Sequence, residues 1–312
     1  MRSLLAFGLI SLNDPGGGRT ARTFTSSSAL LRCTSKSVEL LVSRDSSLAT
    51  LAKSRISSGV NALFRPKEGK RVTSEAVYNP FTLAVYDTAV WSFNSPHLWR
   101  IKEHECQDLY KHCLREKHCE VAVGTGLFLK KRLGSSQDGN DANNLKDLTL
   151  MDLNQNTLDI GEKRISAAAE KYGRDLKILE VVVDITKPDS IPEELRGSFQ
   201  SVAANFLVHC LHADSILDKR AAFESCASLL ASEINGGGCF FGSTILGHDL
   251  LEDEDIAGPA AVNTIHKYND WGIFDNKGDT FEDVEIVLHD LFHDVEVWKS
   301  GYCAVWKANN PK

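Results

Sequence analysis

A short glycine turn near the middle of the chain is the first feature whose residues could bind a ligand. The stretch EVAVGTGLFL, residues 120–129, places Glu120 and an apolar run before Gly124 and Gly126. Such a turn brings backbone N–H groups close either to the phosphates of a nucleotide or to the amino-acid end of another adenosyl cofactor. A dinucleotide fingerprint requires a third glycine, but Leu129 stands in that place. The pattern therefore weakens the pyrophosphate interpretation.

Two acidic residues end the next two apolar runs. LTLMDLN carries Asp152, and VVVDITKP carries Asp184 followed by Ile185. A carboxylate in the first position can accept hydrogen bonds from both ribose hydroxyls. A carboxylate in the second position can accept from the exocyclic amine of an adenine, with Ile185 against the ring. Three successive strand ends therefore indicate an adenosyl pocket without phosphate-binding groups.

Alternating strand and helix patterns would bring these residues together. From residue 119, short β-type runs alternate with amphipathic segments such as KRISAAAEKYG and FEDVEIVLHDLF. This order predicts a doubly wound, Rossmann-like α/β sheet of about seven mostly parallel strands. The last two runs, DVEVWK and YCAVWKA, are joined by Ser300 and Gly301, which predicts a C-terminal antiparallel hairpin.

The chain divides into three predicted parts. Residues 1–70 contain 11 basic against 4 acidic side chains and are rich in serine, a composition shared by mitochondrial transit peptides and disordered tails. We expect a disordered or targeting extension there, or a wrongly assigned start, and a mitochondrial or cytoplasmic location. Residues 71–118 predict a helical cap, and residues 119–312 predict the cofactor-binding domain.

Charge, hydropathy and residue spacing disfavour several other functions. Beyond residue 70 the chain has 24 basic against 38 acidic side chains, and an acidic body without a basic stripe disfavours nucleic-acid binding. No apolar stretch approaches the roughly 20 residues that span a bilayer. The eight cysteines lack CxxC spacing, and the histidines at 97, 104, 112 and 118 form no i,i+4 pair. Reduced, mostly buried thiols are expected, and no metal site.

Taken together, the motifs resemble those of the class I S-adenosylmethionine-dependent methyltransferases, from about residue 76 to the end. The motifs are YNPFTLAVYD, the glycine turn, LMDLN, the Val-His-Cys element at 208–210, FGSTILG and YNDWGIFDNKGDT. Within that class they are similar to a little-characterised group, much of it fungal or bacterial. Two positions depart from the usual pattern, because Ala122 replaces the first glycine of the turn and Gln200 replaces an acidic residue.

The resemblance implies S-adenosylmethionine as cofactor and assigns its pocket residue by residue. Glu120 and the glycine backbone would hold the methionine part, Asp152 the ribose, and Asp184 with Ile185 the adenine. Asn205 and Phe206 would lie beside the sulfonium. The predicted cofactor-binding residues are Glu120, Gly124, Thr125, Gly126, Asp152, Leu153, Asp184, Ile185, Asn205 and Phe206.

The acceptor side is predicted from histidines and aromatic residues. His209 is the first candidate for a general base and His212 the second, although a histidine after a core strand is more often a packed, hydrogen-bonded group. The predicted acceptor contacts are the lid aromatics and two residues of the later insertion, any of which could be core residues instead: Tyr86, Trp91, Trp99, Tyr268 and Asn269.

These observations predict a methyltransferase that acts on a small molecule such as a secondary metabolite, without a nucleic-acid or membrane partner. The alternative is a methyltransferase-like protein that binds the cofactor without transferring a methyl group, because fold alone does not establish function. The oligomeric state and the acceptor atom stay open at this stage.

Overall fold

The computed structural model describes the part of the chain that carries the predicted motifs. It covers residue 87 and residues 90–135, 145–232 and 237–312. The predicted extension at 1–70, the start of the predicted cap and Tyr86 lie outside the described residues. None of the described helices is long and apolar enough to cross a membrane.

Seven strands form one mixed sheet in the order β3-β2-β1-β4-β5-β7-β6. Strands β1 to β5 pair in parallel, whereas β7 runs antiparallel to both β5 and β6. The predicted Rossmann-like sheet with its C-terminal hairpin is therefore confirmed. The strands are β1 (Lys117–Val121), β2 (Asp147–Asp152), β3 (Lys177–Val182), β4 (Ser201–Asn205), β5 (Cys239–Ile245), β6 (Phe292–Ser300) and β7 (Cys303–Pro311).

Helices precede the sheet and connect its strands. A wide π-helical segment that contains Pro96 opens the described chain, and an α-helix with an apolar buried face follows it. In chain order the helices are α1 (Val90–Trp99), α2 (Glu103–Cys113), α3 (Leu127–Gly134), α4 (Gln155–Lys171), α5 (Arg220–Leu229), α6 (Gly247–Glu252), α7 (Glu254–Ala257), α8 (Pro259–Asp270) and α9 (Phe281–Leu291).

Both faces of the sheet are buried along β1, β2, β4 and β5, which explains the continuous apolar runs of these strands. Successive residues of a strand point to opposite faces, so Phe240 joins one core cluster and Phe241 the other. The cluster of Phe241 also contains Trp99 and Tyr110, from α1 and α2. Within the described residues, the helices of the predicted cap thus share a core with the sheet.

The segment between β5 and α9 is held by buried polar contacts. Asn276 is fully buried, and its side chain donates to the backbone oxygen of Ile245 at 3.0 Å. Asn276 also exchanges hydrogen bonds with Asn269. Lys219 reaches the same segment from the connection after β4 and contacts both carboxylate oxygens of Asp279, at 2.8 and 2.7 Å. These contacts fix the segment against the carboxyl end of β5.

The turn after β1 uses the left-handed backbone region three times. Ala122, Gly124 and Gly126 have φ values of 58°, 53° and 64°. A Cβ atom on Gly126 would approach Ile165 of α4 to 3.0 Å, so this glycine allows close helix packing. Ala122 adopts the same conformation with a side chain, which disfavours it by about 1 kcal/mol.

The strain at Ala122 predicts a gain of stability on mutation to glycine. Ala122→Gly should raise the free energy of unfolding by about 1 kcal/mol, because glycine tolerates positive φ. The exposed helical residue Ala167 is the matched control, since Ala167→Gly should lower that energy by about 1 kcal/mol. Urea unfolding followed by circular dichroism measures both changes, and a loss of stability in Ala122→Gly would contradict the prediction.

The ion pair between Lys219 and Asp279 predicts that removing one partner alone destabilises the protein more than removing both. Both side chains are almost fully buried, so Lys219→Met should cost about 3–5 kcal/mol by leaving a carboxylate without its counter-charge. The double variant Lys219→Met/Asp279→Leu should recover most of that loss in the same urea experiment. Lys277→Met, at an exposed pair with Asp270, should change the unfolding energy by less than about 1 kcal/mol. An equal loss of unfolding free energy in Lys219→Met and in the double variant would contradict the prediction.

Candidate functional site

A cavity of about 590 Å³ opens at the carboxyl ends of β1 to β4. The sheet order reverses between β1 and β4, and open α/β sheets bind ligands at such a switch point. The walls combine backbone of the strand ends with apolar and acidic side chains. They are formed by Trp91, residues 120–125, Leu127, Phe128, residues 151–153, Thr157, residues 183–186, Asn205, Phe206, Leu207, residues 210–212, Gly272 and Ile273.

The cavity brings together all of the predicted cofactor-binding residues except Gly126. At Gly124, an added Cβ would meet no atom of the described residues within 4 Å, so open space reaches the backbone there. Ala122 lies in the wall and does not close the cavity. Strand-end acids, accessible glycine backbone and apolar walls fit an adenosyl cofactor with a cationic amino-acid end.

The first strand-end acid, Glu120, is buried in the wall of the cavity at 5% exposure. Its carboxylate accepts from the hydroxyl of Tyr110 at 2.5 Å and lies 3.1 Å from Nε2 of His118. Tyr110 is itself buried, and burial together with the neighbouring charge of Glu120 raises its pKa well above the ordinary range. The tyrosine is therefore a neutral donor at physiological pH.

The second strand-end acid, Asp152, is positioned by the backbone that follows β2. Its Oδ1 accepts from the backbone N–H of Asn154 at 2.9 Å, and Asn154 caps α4. Burial raises the pKa of Asp152 to about 6 despite these hydrogen bonds. The carboxylate is thus ionised at neutral pH and can accept from two vicinal hydroxyls.

The third strand-end acid, Asp184, has close polar partners of its own. It accepts from the hydroxyl of Thr186 at 2.6 Å and pairs with Lys187 at 2.8 Å. Burial acts to raise the pKa of Asp184, but the contacts with Lys187 and Thr186 outweigh burial and lower it. Asp184 therefore stays ionised, and Ile185 beside it supplies an apolar surface.

Aromatic rings enclose the cavity on the side of β4. Trp91 packs edge-to-face on Phe128 and Phe206, with ring centroids 4.7 and 4.8 Å apart. Phe206 follows the last residue of β4 with a φ of 55°, and such strain in a non-glycine residue is common where a backbone shapes a site. Asn205, next to it, donates to the hydroxyl of Tyr110 at 3.1 Å.

The two predicted catalytic histidines occupy different environments. His209 is 3% exposed and does not line the cavity, and it contacts Thr244 at 3.4 Å and the ring of Phe274. Burial, with a smaller contribution from Lys219, lowers the pKa of His209 to about 3. His209 is therefore a packed, neutral residue and a poor proton acceptor.

His212 is better placed for proton transfer than His209. It lines the cavity, and its side chain remains 63% exposed. Its Nδ1 lies 3.4 Å from a carboxylate oxygen of Asp275, and the backbone N–H of Asp275 donates to the oxygen of His209 at 2.9 Å. Lys219 contacts the backbone oxygen of Asp275. The anchored insertion thus places a carboxylate beside His212.

Three predicted acceptor contacts do not line the cavity. Trp99 and Tyr268 are buried and pack on Phe274 at 6.0 and 5.0 Å between ring centroids. Asn269 binds Asn276 within the insertion. These residues support the wall formed by Gly272 and Ile273, whereas Trp91 lies in the wall itself. Tyr86 lies outside the described residues.

Asp87 makes polar contacts with the glycine turn that sequence reasoning did not assign. Its carboxylate accepts from the hydroxyl of Thr125 at 2.5 Å and from Arg164 of α4 at 2.6 Å. Asp87 belongs to the motif YNPFTLAVYD, so its position in that motif was the available signal. The role of Tyr110 was harder to predict, because in the sequence it is only one of the buried residues of α2.

The described residues contain no group of three or more histidine, cysteine or acidic side chains that could hold a metal ion. The cofactor-facing carboxylates lie at separate strand ends, and each has hydrogen-bonding partners within the protein.

Comparison with known proteins gives several relatives that match about three quarters of the chain. No family model matches the chain. It is 27% identical over 237 residues to demethylluteothin O-methyltransferase of Streptomyces thioluteus, covering 76% of this chain and 91% of that protein. It is 29% identical over 239 residues to the physcion biosynthesis cluster O-methyltransferase of Aspergillus chevalieri, covering 76% and 95%.

Among solved structures, the chain is similar to a carbon methyltransferase, CurJ. The TM-score is 0.50 at 13% sequence identity, with 91% of this chain and 70% of that chain covered, which is a likeness of fold. The relatives, the strand order and the strand-end residues of the cavity agree with one another. The chain is thus similar to known methyltransferases in sequence and in fold, and it is an S-adenosylmethionine-dependent methyltransferase.

Proposed function

We propose that the enzyme methylates a hydroxyl group of a small, largely apolar molecule and that His212 accepts the hydroxyl proton. The observation that carries this proposal is the contact between Asp275 and a half-exposed His212 on the wall of the cavity. O-methyltransferases of bacterial and fungal origin among the relatives support the choice of oxygen as acceptor atom.

The cofactor half of the cavity is formed by residues at the ends of β1, β2 and β3. Glu120 and the backbone at Gly124 would hold the amino-acid end, Asp152 the ribose, and Asp184 with Ile185 the adenine. When bound, S-adenosylmethionine supplies a methyl group on cationic sulfur, whose transfer to a hydroxyl oxygen leaves S-adenosylhomocysteine and a methyl ether. The protein contributes chiefly by aligning the two reactants and excluding water.

The acceptor half is lined mainly by apolar groups. Trp91, Phe206, Leu211 and Ile273 form its surface, and no lysine or arginine occurs among the described residues that line the cavity. Such walls favour a planar, uncharged acceptor over a phosphorylated or carboxylated one. A phenol suits this surface, because its hydroxyl is acidic enough for a histidine to assist its ionisation.

His212 completes the arrangement as a base with an outlet to solvent. Asp275 beside Nδ1 favours the tautomer with its proton on that nitrogen, which leaves Nε2 free of a proton. Nε2 can then take the proton of an acceptor hydroxyl. Since the His212 side chain is 63% exposed, the proton can pass to bulk water after transfer. His209 lacks this exposure.

The proposal is tested with a panel of acceptors and isotopically labelled methyl donor. Polyphenols, hydroxylated quinones and hydroxypyrones are incubated with the enzyme, beside matched amines and thiols, and methylated products are identified by mass spectrometry. Methyl ethers formed from the hydroxylated compounds would support the proposal. Methylation of only amines, thiols or carbon centres would overturn the assignment of oxygen.

Loss of the His212 imidazole should reduce turnover without affecting cofactor binding. With the best acceptor from the panel, His212→Gln should lower kcat by about 10²- to 10³-fold, which is a typical contribution of general-base catalysis. The affinity for S-adenosylhomocysteine, measured by calorimetry, should stay within about twofold. His104→Gln, at an exposed residue of α2, is the control, and unchanged kcat in His212→Gln would refute the role of His212.

The raised pKa of Asp152 predicts that cofactor binding depends on pH. The ionised carboxylate accepts from both ribose hydroxyls, so affinity should be full above the pKa of about 6 and fall as pH decreases through it. The Kd for S-adenosylhomocysteine should rise about tenfold per pH unit below 6. Calorimetry from pH 8 to pH 5 measures this dependence.

The isosteric variant Asp152→Asn separates this carboxylate from other titrating groups. It should bind S-adenosylhomocysteine more weakly at pH 8, and the pH dependence near 6 should disappear. A variant that keeps the wild-type pH profile would assign the dependence to another residue.

A further inference from the structure

A buried hydrogen-bond network surrounds Glu120 on the side away from the cavity. Its members come from α2, β1, β4 and β5, and most are fully or nearly fully buried. They are Cys106, Tyr110, His118, Glu120, Ser201, Asn205 and Ser243. Only Glu120 and Asn205 among them line the cavity, so the other members act on a ligand through these two residues.

One arm of the network runs from the start of β4 to Glu120. The backbone N–H of Arg115 donates to the hydroxyl of Ser201 at 3.0 Å, and that hydroxyl lies 2.8 Å from Nδ1 of His118. Nε2 of the same ring lies 3.1 Å from the Glu120 carboxylate. Nδ1 also lies 3.1 Å from the backbone oxygen of Ser201. With a proton on Nε2, the ring donates to Glu120 and so links Ser201 to that carboxylate.

The second arm reaches Glu120 from β5. The hydroxyl of Ser243 donates to the side-chain oxygen of Asn205 at 3.0 Å, and the Asn205 amide donates to the hydroxyl of Tyr110 at 3.1 Å. Tyr110 donates in turn to Glu120 at 2.5 Å. Both arms therefore end at the same carboxylate, and consecutive hydrogen bonds of this kind strengthen one another.

Within the described residues, the network supplies Glu120 with hydrogen-bond donors other than lysine or arginine. No ion pair between Glu120 and a lysine or arginine is found in the described part of the chain, and the donors to its carboxylate are a tyrosine and a histidine. Directed donors replace the water that a buried carboxylate loses. Glu120 lines the cavity, where a carboxylate is complementary to an ammonium group.

We propose that Tyr110 and His118 are positioning residues that hold Glu120 as the acceptor for the α-ammonium group of the methyl donor. This inference rests on the assigned cofactor but needs no methyl acceptor, so it is independent of the proposed O-methylation. The network would give the pocket its selectivity for the amino-acid end of the ligand, whereas Asp152 and Asp184 recognise the nucleoside.

Two ligands distinguish this role from a general effect on the fold. S-adenosylhomocysteine and 5′-methylthioadenosine share the adenosine and the thioether, but only the first carries the amino acid with its ammonium group. In calorimetric titrations, Tyr110→Phe should raise the Kd for S-adenosylhomocysteine about tenfold, the worth of one charge-assisted hydrogen bond. The Kd for 5′-methylthioadenosine should stay within twofold.

Matched variants complete the experiment. Glu120→Gln should lose the preference for S-adenosylhomocysteine, because it removes the charge that the network supports. Tyr172→Phe, at an exposed tyrosine that does not line the cavity, should leave both ligands unaffected. Ser243→Ala removes the first donor of the second arm and should weaken S-adenosylhomocysteine binding about twofold to threefold. This variant provides a second test if Tyr110→Phe does not fold.

The contrary results are distinct. Equal weakening of both ligands in Tyr110→Phe, or no weakening of either, would overturn the positioning role of Tyr110. Retention of the full preference for S-adenosylhomocysteine in Glu120→Gln would overturn the role of Glu120 itself. Neither result would depend on which acceptor the enzyme methylates.

Discussion

The parallel pairing of β1 with β2 on one side and β4 on the other is the constraint on which the site depends. In this register Glu120 lies beside Leu150 and Ala203 of the neighbouring strands. The connections after β1 and β4 leave the sheet towards opposite faces, and a gap opens between them. The strand-end residues therefore meet around one cavity although they are distant in sequence.

Polar contacts behind this cavity divide into two separate systems. The network around Glu120 lies in the interior behind the cofactor half, whereas the pair of Lys219 and Asp279 anchors the segment that carries Asp275 on the acceptor half. Neither system shares a residue with the other. The two halves of the cavity are thus supported by separate sets of contacts, and we expect changes in one half to leave the other intact.

Sequence reasoning was successful where local patterns determine the structure. Alternating strands and helices predicted the sheet and its hairpin, and strand ends predicted the acids that line the cavity. It could not distinguish His209 from His212, because a spacing of three residues does not show which side chain enters the core. The short helical turn at Val208–Cys210 buries His209 and leaves His212 outside. The partners of Tyr110 also lay beyond sequence reasoning, since Asn205 is 95 residues away.

The left-handed backbone at Phe206 has a consequence for how the enzyme could be altered. Glycine would adopt this conformation at lower cost, yet it would remove the ring that packs on Trp91. Stability and enclosure of the cavity therefore make opposite demands on one position. Selection of variants for thermal resistance alone would favour loss of this ring from the wall, so heat tolerance and enclosure of the cavity should be screened together.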